Sequence, residues 1–170
     1  VEVKTGYGLD FDQEIRLLEV YRTVAGLVPQ RLVPTLLAAH TIPVGFRDRR
    51  EDYLALVIDR IIPEAARGGS ARFCDVFVEE TAFSVEEGRR ILEAGKRAGL
   101  GPKIHADQMT DGGGAALAAA IGAVSADHLE RTSDAGIRAM ASAGVVAVSL
   151  PLASLYLNQL IGRTEIQFDW

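Results

Sequence analysis

The sequence contains a single cysteine, Cys74, among its 170 residues. One thiol cannot form an internal disulfide, so nothing in the sequence indicates a disulfide framework or an oxidising compartment. Cys74 lies in an apolar stretch, which favours a buried side chain over a nucleophile. No hydrophobic run approaches the about 20 residues that a membrane span needs, and there is no secretory leader. We therefore expect a cytoplasmic protein that does not enter the membrane.

Clusters of positive charge are also missing. The net charge is -5, and the densest basic group, at Arg47, Arg49 and Arg50, is interleaved with acidic residues. Because binding to a phosphate backbone needs clustered cations, the composition argues against a nucleic-acid partner. Hydrophobic residues make up 48% of the chain, which is enough for one globular domain with a substantial core.

Short β-prone runs alternate with longer helical patterns, which is typical of βαβ units and a parallel sheet. Six strands are predicted, with a helix after each of the first five. The second helix covers about residues 50–67, and residues 84–87 form a capping box at the start of the third. The predicted strands cover residues 1–5, 32–39, 71–78, 102–105, 124–127 and 145–150. A closed barrel of eight such units needs about 250 residues. The sequence therefore predicts either an open sheet or a TIM-barrel-like fold with about six of eight βα units.

All three histidines stand where a predicted strand ends: His40, His105 and His128. In a βα barrel, side chains at the carboxyl ends of the strands share one pocket. Imidazole is a common ligand of catalytic zinc or iron and also carries protons near neutral pH. His105 is the best candidate metal ligand, and His128 is a second ligand or an acid and base. The alternative is a structural role, such as a hydrogen bond between His128 and Asp127.

Other candidate residues lie in the loops that follow the strands. Tyr7 occupies a glycine-flanked turn, where its ring could stack on a planar ligand or pack against the protein. Gln108 offers both a donor and an acceptor to a ligand. Glu79 and Glu80 form either a functional carboxylate pair or a solvated rim. The glycines at 112–114 lack the spacing of a phosphate-binding loop and are interpreted as a loop before a helix.

Five of these motifs, in the same order, resemble the imidazolonepropionases, amidohydrolase-superfamily enzymes of histidine degradation. The motifs are VEVKTGYGL (1–9), AAH (38–40), FCDVFVEE (73–80), KIHADQ (103–108) and SADHLE (125–130). The resemblance covers about residues 1–151, which we take as one partial barrel domain, and less than half of a family member. Residues 152–170 form a C-terminal segment without a clear match.

The resemblance implies an α/β fold, namely an incomplete, metal-dependent amidohydrolase (β/α) barrel of the TIM type. It implies that His105 binds one divalent zinc or iron ion and that Tyr7, His40 and Gln108 hold a small-molecule substrate. It places His128 as a catalytic residue near the substrate carbonyl and the attacking water. The implied reaction hydrolyses the cyclic amide bond of 4-imidazolone-5-propanoate to N-formimidoyl-L-glutamate. It leaves a homodimer open.

Two ligand groups of the family are absent from the sequence. The resemblance places a His-x-His pair before Val1 and a metal-binding Asp on an eighth strand, beyond the last residue. We therefore expect this chain to be part of a longer protein and, alone, to be inactive or incompletely folded. Two alternative interpretations are another amidohydrolase, such as a deaminase or cyclic amidase, and a noncatalytic α/β binding domain with structural histidines. The motifs around Tyr7 and His40 favour imidazolonepropionase.

Overall fold

Six parallel strands form one sheet, and each strand pairs with its neighbours in chain order. The structure is a computed structural model and describes residues 1–157. The strands are β1 (Glu2–Lys4), β2 (Val33–Ala39), β3 (Phe73–Val78), β4 (Gly101–Ala106), β5 (Ser125–His128) and β6 (Val146–Val148). Sequential order with helical crossovers is the arrangement of a barrel wall rather than of a doubly wound sheet. The prediction of an incomplete α/β barrel is confirmed.

Helices connect the strands as the sequence predicts. They are α1 (Phe11–Ala25), α2 (Arg50–Leu56), α3 (Ile62–Arg67), α4 (Val85–Arg97), α5 (Gly114–Ile121), α6 (Asp134–Ala143) and α7 (Pro151–Tyr156). A π-helical segment, Val57–Ile61, joins α2 to α3, so the helix predicted over 50–67 is continuous but locally wider than an α-helix. The sequence did not predict α7, which begins with a proline at its first position, or a short 3-10 helix at Val44–Phe46. Within the C-terminal segment, residues 158–170 lie outside the described residues.

The capping box predicted at the start of α4 is present. The Ser84 hydroxyl accepts a hydrogen bond from the Glu87 amide, and the Glu87 carboxylate accepts one from the Ser84 amide. Arg50 at the start of α2 also donates to this carboxylate, with Nη2 2.7 Å from Oε2. The hydrogen bond from Arg50 and those from Ser84 outweigh burial and lower the pKa of Glu87 to about 2. One carboxylate therefore fixes both the start of α4 and its contact with α2.

The outward face of the sheet is apolar and lies against the helices. Strand side chains alternate between two faces, and the outward set includes Val76 and Ile104, neither of which is exposed. Helix α4 approaches this face so closely that an added Cβ on Gly95 would lie 2.7 Å from Cys74 Cβ. Cys74 is buried here, as predicted.

Polar side chains are concentrated on the opposite set of strand positions. These side chains, which we call the inner polar face, belong to Glu2, Lys4, Thr35, Asp75, Lys103, His105, Ser125 and Asp127. The strand register places Asp75 opposite Lys103 and His105 opposite Asp127. Among residues 1–157, no helix is both long enough and apolar enough to cross a membrane.

Candidate active site

The three histidines meet at the carboxyl ends of β2, β4 and β5. The ring centroids of His105 and His128 are 5.4 Å apart, and those of His40 and His105 are 6.3 Å apart. The Tyr7 ring lies edge-on to His40, with 4.9 Å between centroids. The structure thus brings together four of the five residues that the sequence nominates for the site.

His105 is held by a carboxylate from the neighbouring strand. Its side chain is buried, and its Nδ1 lies 3.1 Å from Asp75 Oδ1. Its other ring nitrogen, Nε2, has no hydrogen-bond partner among residues 1–157. One nitrogen of the ring is therefore engaged within the protein, and the other is available to a ligand.

A buried ion network lies beside His105. Lys4 Nζ donates to Asp75 Oδ2 at 2.7 Å and to Asp127 Oδ2 at 2.6 Å. Burial raises the pKa of Asp75, but His105 and Lys4 outweigh burial and hold that pKa well below its usual range. Burial lowers the pKa of Lys4, but the two carboxylates outweigh it and the net shift is upward. Asp75 and Lys4 are therefore both charged at neutral pH.

Sequence reasoning missed this network, although a signal exists. Polar residues recur at every second position of β1, β4 and β5, where a packed barrel interior normally has branched apolar side chains. That alternation identifies an unusually polar inner face. It does not show which charges pair.

The donor atoms near His105 could hold a metal ion. Ligand atoms of Asp75, His105 and Asp127 all lie within 4.8 Å of one another, and imidazole with carboxylates is a donor set typical of zinc and iron. Both carboxylates already bind the Lys4 ammonium, whereas His105 Nε2 is free of protein partners in the described part of the chain. The residues present therefore fit a metal at His105 Nε2.

His128 occupies a strained backbone conformation at the end of β5. His128 has a φ of 80° and the next residue, Leu129, a φ of 69°, both in the left-handed region that residues with a Cβ rarely adopt. Such strain clusters at functional sites, where surrounding contacts maintain it. His128 Nδ1 lies 3.7 Å from Glu130 Oε1, which also accepts a hydrogen bond of 2.6 Å from the Ser154 hydroxyl. Asp127 binds Lys4, so the alternative pairing of His128 with Asp127 is not formed.

The loop that carries Tyr7 is fixed by a fully buried glutamate on α1. The carboxylate of Glu14 accepts hydrogen bonds from the amides of Gly6, Gly8 and Leu9. An added Cβ on Gly8 would lie 2.7 Å from Glu14 N, so the loop can approach the helix this closely only with glycine there. Tyr7 itself is 80% exposed and leans on His40.

Gln108 and the two glutamates near β3 behave differently from the histidines. Gln108 is buried and makes no hydrogen bond or ring contact among residues 1–157, so the structure does not connect it to the cluster. Glu79 accepts hydrogen bonds from the amides of Met109 and Thr110 and thereby shapes the loop after β4. Glu80 is exposed. The two glutamates therefore do not form a functional carboxylate pair.

His40 is half-buried and contacts the Tyr7 ring. Its Nδ1 is one of three buried side-chain atoms without a hydrogen-bond partner in the described part of the chain, together with His128 Nδ1 and Glu130 Oε2. Burial and the nearby His105 lower the pKa of His40. Two of these three atoms belong to the histidine cluster, which is where a polar ligand could satisfy them.

Comparison with known proteins gives a consistent picture. The chain is 53% identical over 157 residues to an imidazolonepropionase of Myxococcus xanthus (strain DK1622), covering 92% of this chain and 37% of that protein. It is 50% identical to the imidazolonepropionase of Geobacillus thermodenitrificans (strain NG80-2), with the same coverage. It is 47% identical to that of Bacteroides fragilis (strain YCH46), covering 99% of this chain and 41% of that protein. No protein-family model matches the chain.

Solved structures with a similar fold share little sequence. A crystal structure of a Xaa-Pro dipeptidase with bound methionine superposes with a TM-score of 0.58 at 14% identity, over 97% of this chain and 47% of that one. A crystal structure described as an amidohydrolase gives a TM-score of 0.52 at 18% identity, over 98% and 47%. These similarities support the incomplete α/β barrel fold alone. The chain spans less than half the length of each of these proteins.

Proposed function

Because the chain is homologous to part of the imidazolonepropionases, spanning 37% to 41% of the length of the relatives described, we propose that it contributes metal- and substrate-binding residues to an enzyme of that type. The proposed reaction is hydrolysis of the cyclic amide bond of 4-imidazolone-5-propanoate to N-formimidoyl-L-glutamate. The observation that carries this proposal is the clustering of three strand-end histidines in a chain 53% identical to a named imidazolonepropionase.

We assign His105 Nε2 as a ligand of one zinc or iron ion. When bound, such an ion polarises a carbonyl oxygen and lowers the pKa of water to about 7. The remaining ligands are proposed to come from parts of the protein outside this sequence, since one histidine makes only a weak site. Asp75 supports the assignment because it engages Nδ1 and so directs Nε2 away from the protein.

Tyr7 and His40 are proposed to hold the flat imidazolone ring. The exposed phenol can stack on or hydrogen-bond to a planar ligand. The unpartnered Nδ1 of His40 offers a polar contact at the same place. Gln108 is proposed as a further substrate contact because its amide can both donate and accept, which suits a ring containing N–H and C=O groups.

His128 is proposed to move the proton that ring opening requires. The departing ring nitrogen must gain a proton when the C–N bond breaks, and imidazole is suited to deliver it near neutral pH. Oε1 of Glu130 lies 3.7 Å from His128 Nδ1, and the strained backbone at His128 fixes the direction of the ring.

The proposal is tested with the complete reading frame that contains this chain. Purified protein should consume imidazolone propanoate, lose that activity with a chelator and regain it with zinc or iron. His105→Ala should abolish the metal-dependent turnover. Glu93→Gln, which changes an exposed residue of α4, serves as a surface control. Absence of turnover by the metal-loaded, folded protein would refute the assignment.

A further inference from the structure

We propose that Asp75 is a positioning residue that keeps the neutral His105 ring in its Nδ1–H form, with Lys4 holding Asp75 in place. The inference rests on the proposed function in one respect, namely that His105 Nε2 binds the metal. It assigns separate roles to the three residues whose donor atoms lie together near His105. Asp75 and Asp127 then support the site without ligating the ion.

The contact between His105 and Asp75 determines which ring nitrogen carries the proton. An ionised carboxylate can only accept hydrogen bonds, so the 3.1 Å contact between His105 Nδ1 and Asp75 Oδ1 requires a proton on Nδ1. A neutral imidazole with its proton on Nδ1 has its lone pair on Nε2. Histidine ligands of metals are commonly fixed in this way by a carboxylate on the other nitrogen.

Asp75 and Asp127 already share a cation, the Lys4 ammonium. Lys4 Nζ lies 2.7 Å from Asp75 and 2.6 Å from Asp127, and the three side chains are 20%, 0% and 5% exposed. A divalent ion placed between the carboxylates would have to displace this ammonium into a poorly solvated space. The network is therefore complete without a metal, and of Asp75, Asp127 and His105 only the histidine keeps a donor atom, Nε2, without a partner in the described part of the chain.

Contacts with Lys4 and His105 hold the Asp75 carboxylate in one orientation. Both of its oxygens lie 3.1 Å from His105 Nδ1, and Oδ2 also accepts a hydrogen bond of 2.7 Å from Lys4 Nζ, so the carboxylate is engaged from two different strands. Asp75 lies on β3, next to the strand of His105, and Lys4 reaches it from β1. Lys4 thus fixes the orientation of the carboxylate, and the carboxylate fixes the ring.

The test uses the complete protein that contains this chain, labelled with ¹⁵N-histidine and freed of metal. Comparison with the spectrum of His105→Ala identifies the imidazole signals of His105. Long-range proton–nitrogen spectra show which nitrogen carries the proton. Zn²⁺ alone is then titrated, and binding is followed at the His105 signals.

The wild-type chain should show His105 protonated on Nδ1. Asp75→Leu should move the proton to Nε2 and weaken Zn²⁺ binding by about 10- to 100-fold. Asp75→Asn should retain the Nδ1–H form, because its carbonyl oxygen still accepts, and should bind Zn²⁺ more tightly than the leucine variant. Asp127→Asn is the matched control: it removes the other carboxylate bound to Lys4 but leaves His105 and its tautomer unchanged.

An Nε2–H tautomer in the wild-type chain would overturn the proposal. So would a loss of Zn²⁺ binding in Asp127→Asn as large as that in His105→Ala, because both carboxylates would then be ligands. If Asp75→Leu does not fold, the wild-type spectrum and the two asparagine variants still decide the matter. Failure of imidazolone hydrolysis in the complete protein would refute the proposed function but would leave the tautomer result standing.

Discussion

Lys4 and Asp127 form a 2.6 Å ion pair across the sheet, although their strands are not neighbours. Lys4 lies on β1 and Asp127 on β5, with three strands between them. In a flat sheet those strands would be about 19 Å apart, which no lysine side chain can bridge. The pair therefore requires strong curvature and shows that the inner polar face is the concave side.

Removing the ammonium of this network should destabilise the protein strongly. Lys4→Met keeps the length of the side chain but leaves two buried carboxylates without a cation. Removing one partner of a buried ionic group costs about 3 to 5 kcal/mol. Denaturant unfolding of the wild type and the variant measures the difference. Lys4→Met combined with Asp75→Asn and Asp127→Asn should recover part of the loss, and equal stability of the single and triple variants would contradict the explanation.

The loop that carries Tyr7 should depend on the buried glutamate of α1. Glu14→Gln replaces one acceptor oxygen with an N–H donor that faces backbone amides, which costs about 1 to 3 kcal/mol. In the complete enzyme, KM for imidazolone propanoate should rise more than kcat falls, because Tyr7 is proposed to hold the substrate. Glu19→Gln, an exposed change on the same helix, should alter neither. A fall in kcat with KM unchanged would place the effect elsewhere.

Acid should weaken the capping box of α4. The pKa of Glu87 is lowered from 4.5 to about 2, so its contribution is fully present above pH 4.5 and is lost as the pH falls towards 2. Glu87→Gln should therefore cost about 1 kcal/mol near neutral pH and progressively less below pH 4.5. Unfolding at several pH values tests this, with exposed Glu86→Gln as the control. A constant difference between wild type and Glu87→Gln down to pH 2 would disprove the linkage.

The close packing of α4 on the sheet should make the stability of the protein sensitive to a substitution at Gly95. Helix propensity alone would favour Gly95→Ala by about 1 kcal/mol. The added methyl group would meet Cys74 Cβ at 2.7 Å, and overpacking of this kind costs about 1 to 3 kcal/mol. We expect net destabilisation in thermal unfolding. Gly45→Ala, where an added Cβ meets no atom within 4 Å, should be close to neutral, and a stabilised Gly95→Ala variant would show that the sheet yields.

The sequence was sufficient to place the histidines but not the charges. His40, His105 and His128 end strands whose boundaries follow from local alternation, so their common edge of the sheet could be predicted. The pairing of Lys4 with Asp127 depends on curvature across five strands, which no local pattern encodes. It therefore became visible only in three dimensions.

The helical regions show the same contrast between features with a local sequence signal and features without one. The capping box at Ser84 is a four-residue signal and was predicted from the sequence. The π-helical segment at Val57–Ile61 has no such signal in its apolar pattern, and the prediction there was simply a continuous helix. The role of Glu14 was equally hidden, because a glutamate in the first turn of a helix ordinarily indicates favourable dipole placement at the surface.

The two outer strands of the sheet, β1 and β6, have consequences for handling the protein. Each has one neighbour among the described residues, and each is three residues long. The free side of such a strand presents unpaired amide and carbonyl groups, which can template pairing with another chain. Val1 and Val146 at these edges are exposed, so they add apolar surface to such contacts. The chain alone should consequently associate at high concentration, and supplying strands that cover both edges should keep it dispersed.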